Sequence, residues 1–352
     1  MNTTRFYKDK PLFGLDIGFN SVKIMQLVKQ GSKHVVVGYG VASFDHKAID
    51  NGVIVDHEHI AKVVHDLFKK TLIGEITTRR VAFSVPAART FSRILTLPKL
   101  AQKDMSEAVQ LEAEQYIPVP LDDLYIDYTV TRKNDKNTDV LAVAVPKKIV
   151  DSYLALTDIL NLDVVVMETT TGATGRLFQH TDAHNVPTVL VDFGSVSSDI
   201  TIFDETIMVT GTVPEGGDNI TNLIAQQLSV TKEEAHLIKV KYGLGVSKKQ
   251  HEIAQALTPL LDKLVKEIKR MVRYYEERSE GHRKVQQVVT FGGGANVPGL
   301  SEYLIDKLRI PVRACDPWEH IDFKHLKPPG NIERSMYITV AGLALINPRE
   351  IF

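Results

Sequence analysis

The chain is almost without cysteine: Cys315 is the only one among 352 residues. A disulfide framework and a thiolate metal cluster are thereby excluded, and a reducing, cytoplasmic setting is expected. Long apolar runs are also missing. None approaches the roughly eighteen residues needed to span a bilayer, and the start MNTTRFYKDK lacks the apolar core of a signal peptide. Any membrane association is therefore expected to run through a partner. No charge of one sign dominates either, because a net charge of -1 and a pI near 6.9 give no electrostatic footprint for nucleic acid. What is present is 43% hydrophobic and 24% charged residues, enough over this length to bury two sizeable cores.

The most informative pattern is a repeat. LFGLDIGFNSVKIMQLV at 12–28 is written again as VLVDFGSVSSDITIF at 189–203, with Asp16, Gly18 and Ser21 answering to Asp192, Gly194 and Ser197. Asp-x-Gly alone is ordinary turn chemistry. Two matched copies, each opening one half of the chain, imply an internal duplication. An apolar strand, a glycine turn and a second strand form a hairpin whose N–H groups can approach a phosphate, and two such hairpins facing each other would clamp one polyphosphate. A third signal is VVTFGGGANVPGL at 288–300, a buried strand running into Gly292, Gly293 and Gly294 and then a helix opened by Pro298. Such a turn serves either tight strand-helix packing or a ligand resting on the backbone.

In this order the motifs resemble the phosphate-1, phosphate-2 and adenosine motifs of the actin, Hsp70 and sugar-kinase ATPase superfamily. Within it, SRILTLP at 92–98, EAEQYIPVPL at 112–121, VLAVAVPKKIVDSYL at 140–154 and YYE at 274–276 look like the type IV pilus assembly family PilM. The resemblance runs from about Leu12 to Ile346, and the cell-division family FtsA is the nearest competitor. It implies an α/β, two-lobed actin-like ATPase fold with duplicated ribonuclease H-like cores and an FtsA-like α+β insert (an SHS2 domain) in the first lobe.

The implied layout is a first-lobe core at 11–85 plus 162–187, the insert at 86–161, a second-lobe core at 188–229 plus 285–347, and a helical subdomain at 230–284. Strands are expected at Leu12–Ile17, Val22–Val28 and His34–Val41, then an amphipathic helix over His57–Lys70. In the insert we expect a strand at Thr90–Leu97, a helix at Gln102–Gln115, strands at Leu124–Val130 and Val140–Val145, and a helix from Lys147. KNDKNT at 133–138 reads as a hairpin turn. Thr231 and Glu234 form a capping box, and Thr258-Pro259 is expected to open a long helix with a basic outer face. The small-residue segments 164–178 and 332–346 would be the two helices that cross at the hinge and let the lobes close.

The resemblance also implies ATP and Mg²⁺ as cofactors. Asp16, Asp192 and Asp199 suit Mg²⁺ held through water. Lys23, at the offset where actin places a phosphate-contacting lysine, would neutralise the β- and γ-phosphates, although a surface lysine at a strand edge reads the same way. Gly18, Asn20, Ser21, Gly194, Ser195, Ser197, Gly216 and Gly217 would line the phosphates, and Gly292, Gly293, Gly294, Lys269 and Arg270 the adenosine. Glu168 would orient the hydrolytic water, with Asp192 as the second catalytic acid; capping the following helix is the alternative role for Glu168. Phe19 and Asn20 stand where a Gly-Thr-Ser loop is usual, so at most a slow ATPase is expected.

Among function classes, the resemblance favours a cytoplasmic ATP-binding adaptor that receives the cytoplasmic tail of a PilN-like single-span pilus protein in a groove between the first-lobe core and the insert. Tyr116-Ile117-Pro118-Val119-Pro120 is either a rim of that groove or a plain helix stop. Contacts with pilus motor or platform components are implied as well, and self-assembly is left open. An FtsA-like filament former is the alternative; the terminal NPREIF directly after the hinge helix argues against a membrane-binding tail. A small-molecule kinase would need a catalytic Asp in the insert, which EAEQYIPVPL does not supply.

Overall fold

A computed structural model describes residues 10–31, 33–181 and 186–348. The chain divides into two compact units, one of residues 1–177, 318–328 and 339–352, the other of 178–317 and 329–338.

The first unit is built on a sheet whose centre is buried on both faces. Strand β1 (Phe13–Ile17) has no exposed residue. It pairs antiparallel with β2 (Ser21–Gln30), which pairs with β3 (Lys33–Ser43). After helix α1 (His57–Asp66), β4 (Arg80–Val85) lies parallel to β1. Asp56 caps α1 by accepting from the His59 amide, and Ile60, Ala61 and Val64 form its buried stripe. The turn after α1, expected as α-helix to Lys70, widens to a π-helical turn over Leu67–Thr71.

The insert follows as β5 (Phe91–Pro98), α2 (Gln102–Glu114), β6 (Leu124–Lys133) and β7 (Asn137–Pro146), an antiparallel sheet in the order β5-β7-β6. Leu95, Leu97, Met105, Val109, Val140 and Ala142 make its core. The turn at 134–137 is closed by Asn134, whose Oδ1 accepts from the Lys136 and Asn137 amides. Helix α3 (Lys147–Leu160) buries Ile149, Tyr153 and Leu156 in the core that β1, β4 and α1 also fill, so the helix closing the insert is rooted in the lobe. β8 (Asp163–Thr169) then returns parallel to β4 and leads into α4 (Thr170–Thr181). The opposite face of the sheet carries Leu12, Ala82, Ala173, Leu343 and Ile346. There helix Ile338–Ala344 crosses α4 so closely that a Cβ on Gly342 would lie 1.9 Å from the Ala173 carbonyl oxygen. Within the stretch 285–347 expected in the second-lobe core, Trp318–Pro328 clusters instead with this unit, because Ile321–Asp322 adds a parallel strand to β3.

In the second unit β9 (Thr188–Phe193), β10 (Ser198–Asp204) and β11 (Thr206–Val213) form an antiparallel meander, and β12 (Gln287–Phe291) and β13 (Val312–Ala314) extend it in parallel from β9. Helices α5 (Gly217–Leu228), α6 (Lys232–Lys241) and α7 (Gln250–Arg278) intervene. The Thr231–Glu234 capping box is present.

Two boundaries differ from expectation. Helix α7 starts at Gln250 and runs through Pro259. A proline inside a helix costs about 3 kcal/mol, but the extra turns bury Ile253 and Leu257 completely, worth roughly 1.5–3 kcal/mol each. Helix α8 (Leu300–Leu308) takes Gly299 as its N-cap, so Pro298 precedes it.

Candidate nucleotide site

The first hairpin holds a nearly buried ion pair. Asp16 and Lys23 are register partners across β1 and β2, and Lys23 Nζ donates to Asp16 Oδ2 at 3.0 Å. Their side chains are only 8% and 12% exposed, which rules out a strand-edge surface lysine. Ser84 Oγ, from β4, donates to Asp16 Oδ1 at 2.6 Å, so both carboxylate oxygens are engaged. The Gly18 amide closes the turn onto the Ser21 carbonyl at 2.9 Å, and a Cβ on Gly18 would stand 3.4 Å from the Lys23 ammonium. Asn20 is exposed at the tip, its carbonyl accepting from the Phe44 amide at 3.0 Å, and Phe19 stacks on His46 with ring centroids 5.5 Å apart. Burial and the neighbouring Asp16 carboxylate push the Tyr153 phenol up.

The second hairpin has the same backbone and the opposite chemistry. Asp192 faces Asp199 in the β9–β10 register, placing two carboxylates where the first copy has a carboxylate and an ammonium. Burial pushes Asp199 up to about 6, opposed by the Thr212 hydroxyl, which donates to Oδ1 at 2.6 Å. The turn is welded to the start of α5. The Gly217 amide donates to the Gly194 carbonyl at 2.9 Å and the Asp218 amide to the Ser195 carbonyl at 2.8 Å, while the Gly216 amide is taken by Asn219 Oδ1 at 3.0 Å. A Cβ on Gly216 would fall 2.5 Å from the Ser195 carbonyl oxygen. Gly216 therefore serves close packing, and the amides of both Gly216 and Gly217 are committed internally. Ser197 is half-buried in the turn; Ser198 donates to the Glu215 carbonyl at 2.8 Å.

Two lysines stand at this turn: Lys239 escaped the reading of the sequence, and Lys263 belongs to the basic outer face expected of the long helix. Lys239 of α6 is buried and donates to the Gly217 carbonyl at 3.0 Å. Desolvation lowers its pKa. Its signal was a lysine four residues after Ala235, on the buried face of the helix. Lys263 of α7 reaches Glu215 at 2.6 Å. Lys269 and Arg270, expected beside adenosine, are both exposed, and Arg270 is bound to Glu267 on its own helix.

The triple glycine divides by role. Gly292 has φ +81°, and a Cβ there would lie 2.3 Å from Asp192 Oδ1; one on Gly294 would lie 2.7 Å from Phe193 Cβ. Both therefore answer to packing against the end of β9. Gly293 alone is exposed, with nothing within 4 Å of where its Cβ would be.

Glu168, at the end of β8, is held from both sides of its carboxylate by the Arg176 guanidinium, with Nη2 to Oε2 at 2.8 Å. Arg176 also donates to the Gly342 carbonyl at 3.2 Å. The start of α4 is capped instead by Thr169 Oγ1, which accepts from the Gly172 amide at 3.1 Å. In the insert, Ile117 is buried among Ala113, Leu124 and Ala144, while Tyr116 and Val119 are half-buried and Pro118 and Pro120 exposed. No cluster of three His, Cys, Asp or Glu side chains able to hold a metal occurs among the described residues. Asp192 and Asp199, opposite one another in register, are the carboxylates that would hold Mg²⁺ through water, while both oxygens of Asp16 are engaged by Lys23 and Ser84.

Residues 14–347 match the family described as Type IV pilus assembly protein PilM. The cell division protein FtsA of Bacillus subtilis (strain 168) is 24% identical over 365 residues, covering 90% of this chain and 80% of FtsA. Among solved structures, a PilM-PilN type IV pilus biogenesis complex superposes with TM-score 0.82 at 20% identity, covering 96% of this chain and 98% of its counterpart. MreB5 of Spiroplasma citri bound to AMPPNP gives 0.52 at 11% identity, covering 95% of each chain. The fold is that of the actin-like ATPases.

Proposed function

The chain belongs to the type IV pilus assembly protein PilM family, and from that premise we propose that it is an ATP-binding adaptor which captures the N-terminal cytoplasmic tail of a PilN-like protein. The observation that carries the reading is the family match over nearly the whole chain, joined to two register-matched Asp-x-Gly hairpins. Each hairpin is a candidate phosphate contact. Lys23 is the cation for the phosphates, Gly293 is the open backbone for the nucleoside, and Asp192 and Asp199 hold Mg²⁺ through water. Nucleotide acts mainly as a conformational ligand: Glu168, the candidate for orienting water, is already occupied by Arg176, which favours slow turnover. No helix among the described residues is long and apolar enough to cross a membrane. The protein would therefore reach the membrane through its partner.

The tail would lie where the insert joins the lobe core. There α3 is anchored by Ile149, Tyr153 and Leu156, and the half-buried Tyr116 and Val119 offer apolar contact beside exposed prolines. A proline-stiffened rim presents pockets at little ordering cost.

The test is a fluorescent peptide of the cognate tail titrated against full-length protein with and without Mg-ATP. Affinity in the micromolar range, on the order of −8 kcal/mol, is expected. Because α3 belongs to the lobe core, the informative deletion replaces only Phe91–Val145 with a short linker. Peptide binding should vanish while ATP binding, followed by calorimetry, survives. Retained capture of the tail by the folded deletion variant would move the site elsewhere.

A further inference from the structure

The insert has a second end, and it carries a pocket that the tail does not need. The register pairs Phe91 with Ala144 at the junction with the lobe, and Pro98 with Asn137 at the far end. At that far end a cavity of about 520 Å³ opens between α2 and the sheet. Its floor is apolar: Leu100, Met105, Tyr128 and Val130. Val130 is 39% exposed although its neighbours on the same face of β6 are part of the insert's core. Lys99 and Lys133 stand on the rim, neither paired with a carboxylate among the described residues, against a single acid, Asp135. The pocket is thus apolar inside and basic at its mouth.

β6 is also an edge strand, with β7 on one side only. The Tyr128 amide is not given to β7; Asp127 Oδ1 accepts from it at 2.8 Å, so it points outward under a side-chain cover. An exposed edge is usually masked by such devices unless it is used. At Tyr128 the cover is one exposed carboxylate, while a bulge near Val130 and the exposed Arg132 and Lys133 guard the strand's end.

We propose that this far end of the insert docks an extended acidic peptide of a second partner, which pairs with the free edge of β6. One apolar side chain fills the pocket, and carboxylates on either side of it meet Lys99 and Lys133. Alternate residues of a strand point the same way, so an apolar anchor with acidic residues two positions before and after it suits edge pairing and the charged rim together. Charge complementarity decides the occupant, since a basic or neutral strand would leave both lysines facing no counter-charge.

The probe is a short fluorescent peptide of alternating glutamate and valine in which one central glutamate is replaced by phenylalanine, so that the anchor and the glutamates two residues to either side share one face, titrated against full-length protein at low and moderate salt. A sequence-matched peptide with lysine in place of glutamate is the control. Saturable binding of the acidic peptide is expected, weakened by about tenfold or more in Lys99→Glu/Lys133→Glu and in Val130→Asp. Binding of the cognate PilN-like tail should be unchanged in both variants. The proposal is overturned if the acidic peptide does not bind up to about 1 mM, if the lysine control binds equally, or if the variants bind the acidic peptide as the parent does. Loss of tail binding in the same variants would merge the two sites and also overturn it. A self-association seen by sedimentation and abolished by Lys99→Glu/Lys133→Glu would make a second copy of the chain the occupant instead. Circular dichroism melts of the variants separate lost binding from lost folding, and Lys133→Gln supplies a milder change if the double variant unfolds.

Discussion

Lys23 Nζ lies 3.0 Å from Asp16 Oδ2 across the first hairpin, whereas the residue that answers to Lys23 in the second hairpin is Asp199, set opposite Asp192. The duplicated backbone has therefore diverged into one hairpin that neutralises itself and one that gathers negative charge. Because the first pair is nearly buried, removing one member leaves an uncompensated charge. Lys23→Ala should cost about 3–5 kcal/mol of stability. Lys23→Ala/Asp16→Ala should cost less than the sum of the single changes, as a denaturant-based double-mutant cycle would reveal. Strict additivity would mean that the pair contributes no coupling.

The second hairpin makes the protein sensitive to pH. Burial disfavours the charged form of Asp199 and pushes its carboxyl up to about 6, above the ordinary carboxylate range. A raised pKa means that its contribution to stability is fully present below about pH 4 and lost as pH rises through about 6, a change of roughly 3 kcal/mol. In nucleotide-free protein with chelator, Asp199→Asn should flatten the denaturation midpoint over that window and raise it at neutral pH. An unchanged slope would show that Asp199 is better solvated than its surroundings suggest.

Much of this was legible in the chain itself. The hairpins announce themselves through Asp-x-Gly after an apolar strand, and the insert's strands through alternation and its Asn-rich turn. What was not legible depended on contacts distant in sequence. Pro259 reads locally as a helix start, and only the burial of Ile253 and Leu257 explains why the helix begins earlier. Arg176 is eight residues from Glu168 and on a different element, so no spacing rule pairs them. Gly216 and Gly217 look like a phosphate cradle, but the need for small size at Gly216 comes from the Gly194 and Ser195 backbone beneath it, while Gly217 has room for a Cβ.

The triple glycine offers a sharp internal control. Gly292→Ala forces a left-handed φ and a 2.3 Å approach to Asp192 Oδ1, so it should destabilise the second unit and disturb the carboxylate pair. Gly293→Val meets open space and should leave the melting temperature within a few degrees while weakening ATP binding by about tenfold. Calorimetry on both variants decides. If Gly293→Val binds ATP like the parent, the nucleoside does not rest on this turn.

The final prediction concerns Glu168 and its clamp. Both carboxylate oxygens are held by Arg176, so any water-orienting role requires that the ion pair loosen. Glu168→Ala should keep ATP affinity and lose most of the hydrolysis measured in single turnover, because an orienting carboxylate acts on the water and not on the phosphates. Arg176→Ala removes the same ion pair yet leaves the carboxylate free, so its turnover should match or exceed that of the parent. Stability alone would not distinguish the two variants, since each leaves one charge of a partly buried pair without its partner. Turnover does. If both variants hydrolyse ATP at the parental rate, Glu168 and Arg176 serve only to tie β8 and α4 to the Gly342 carbonyl.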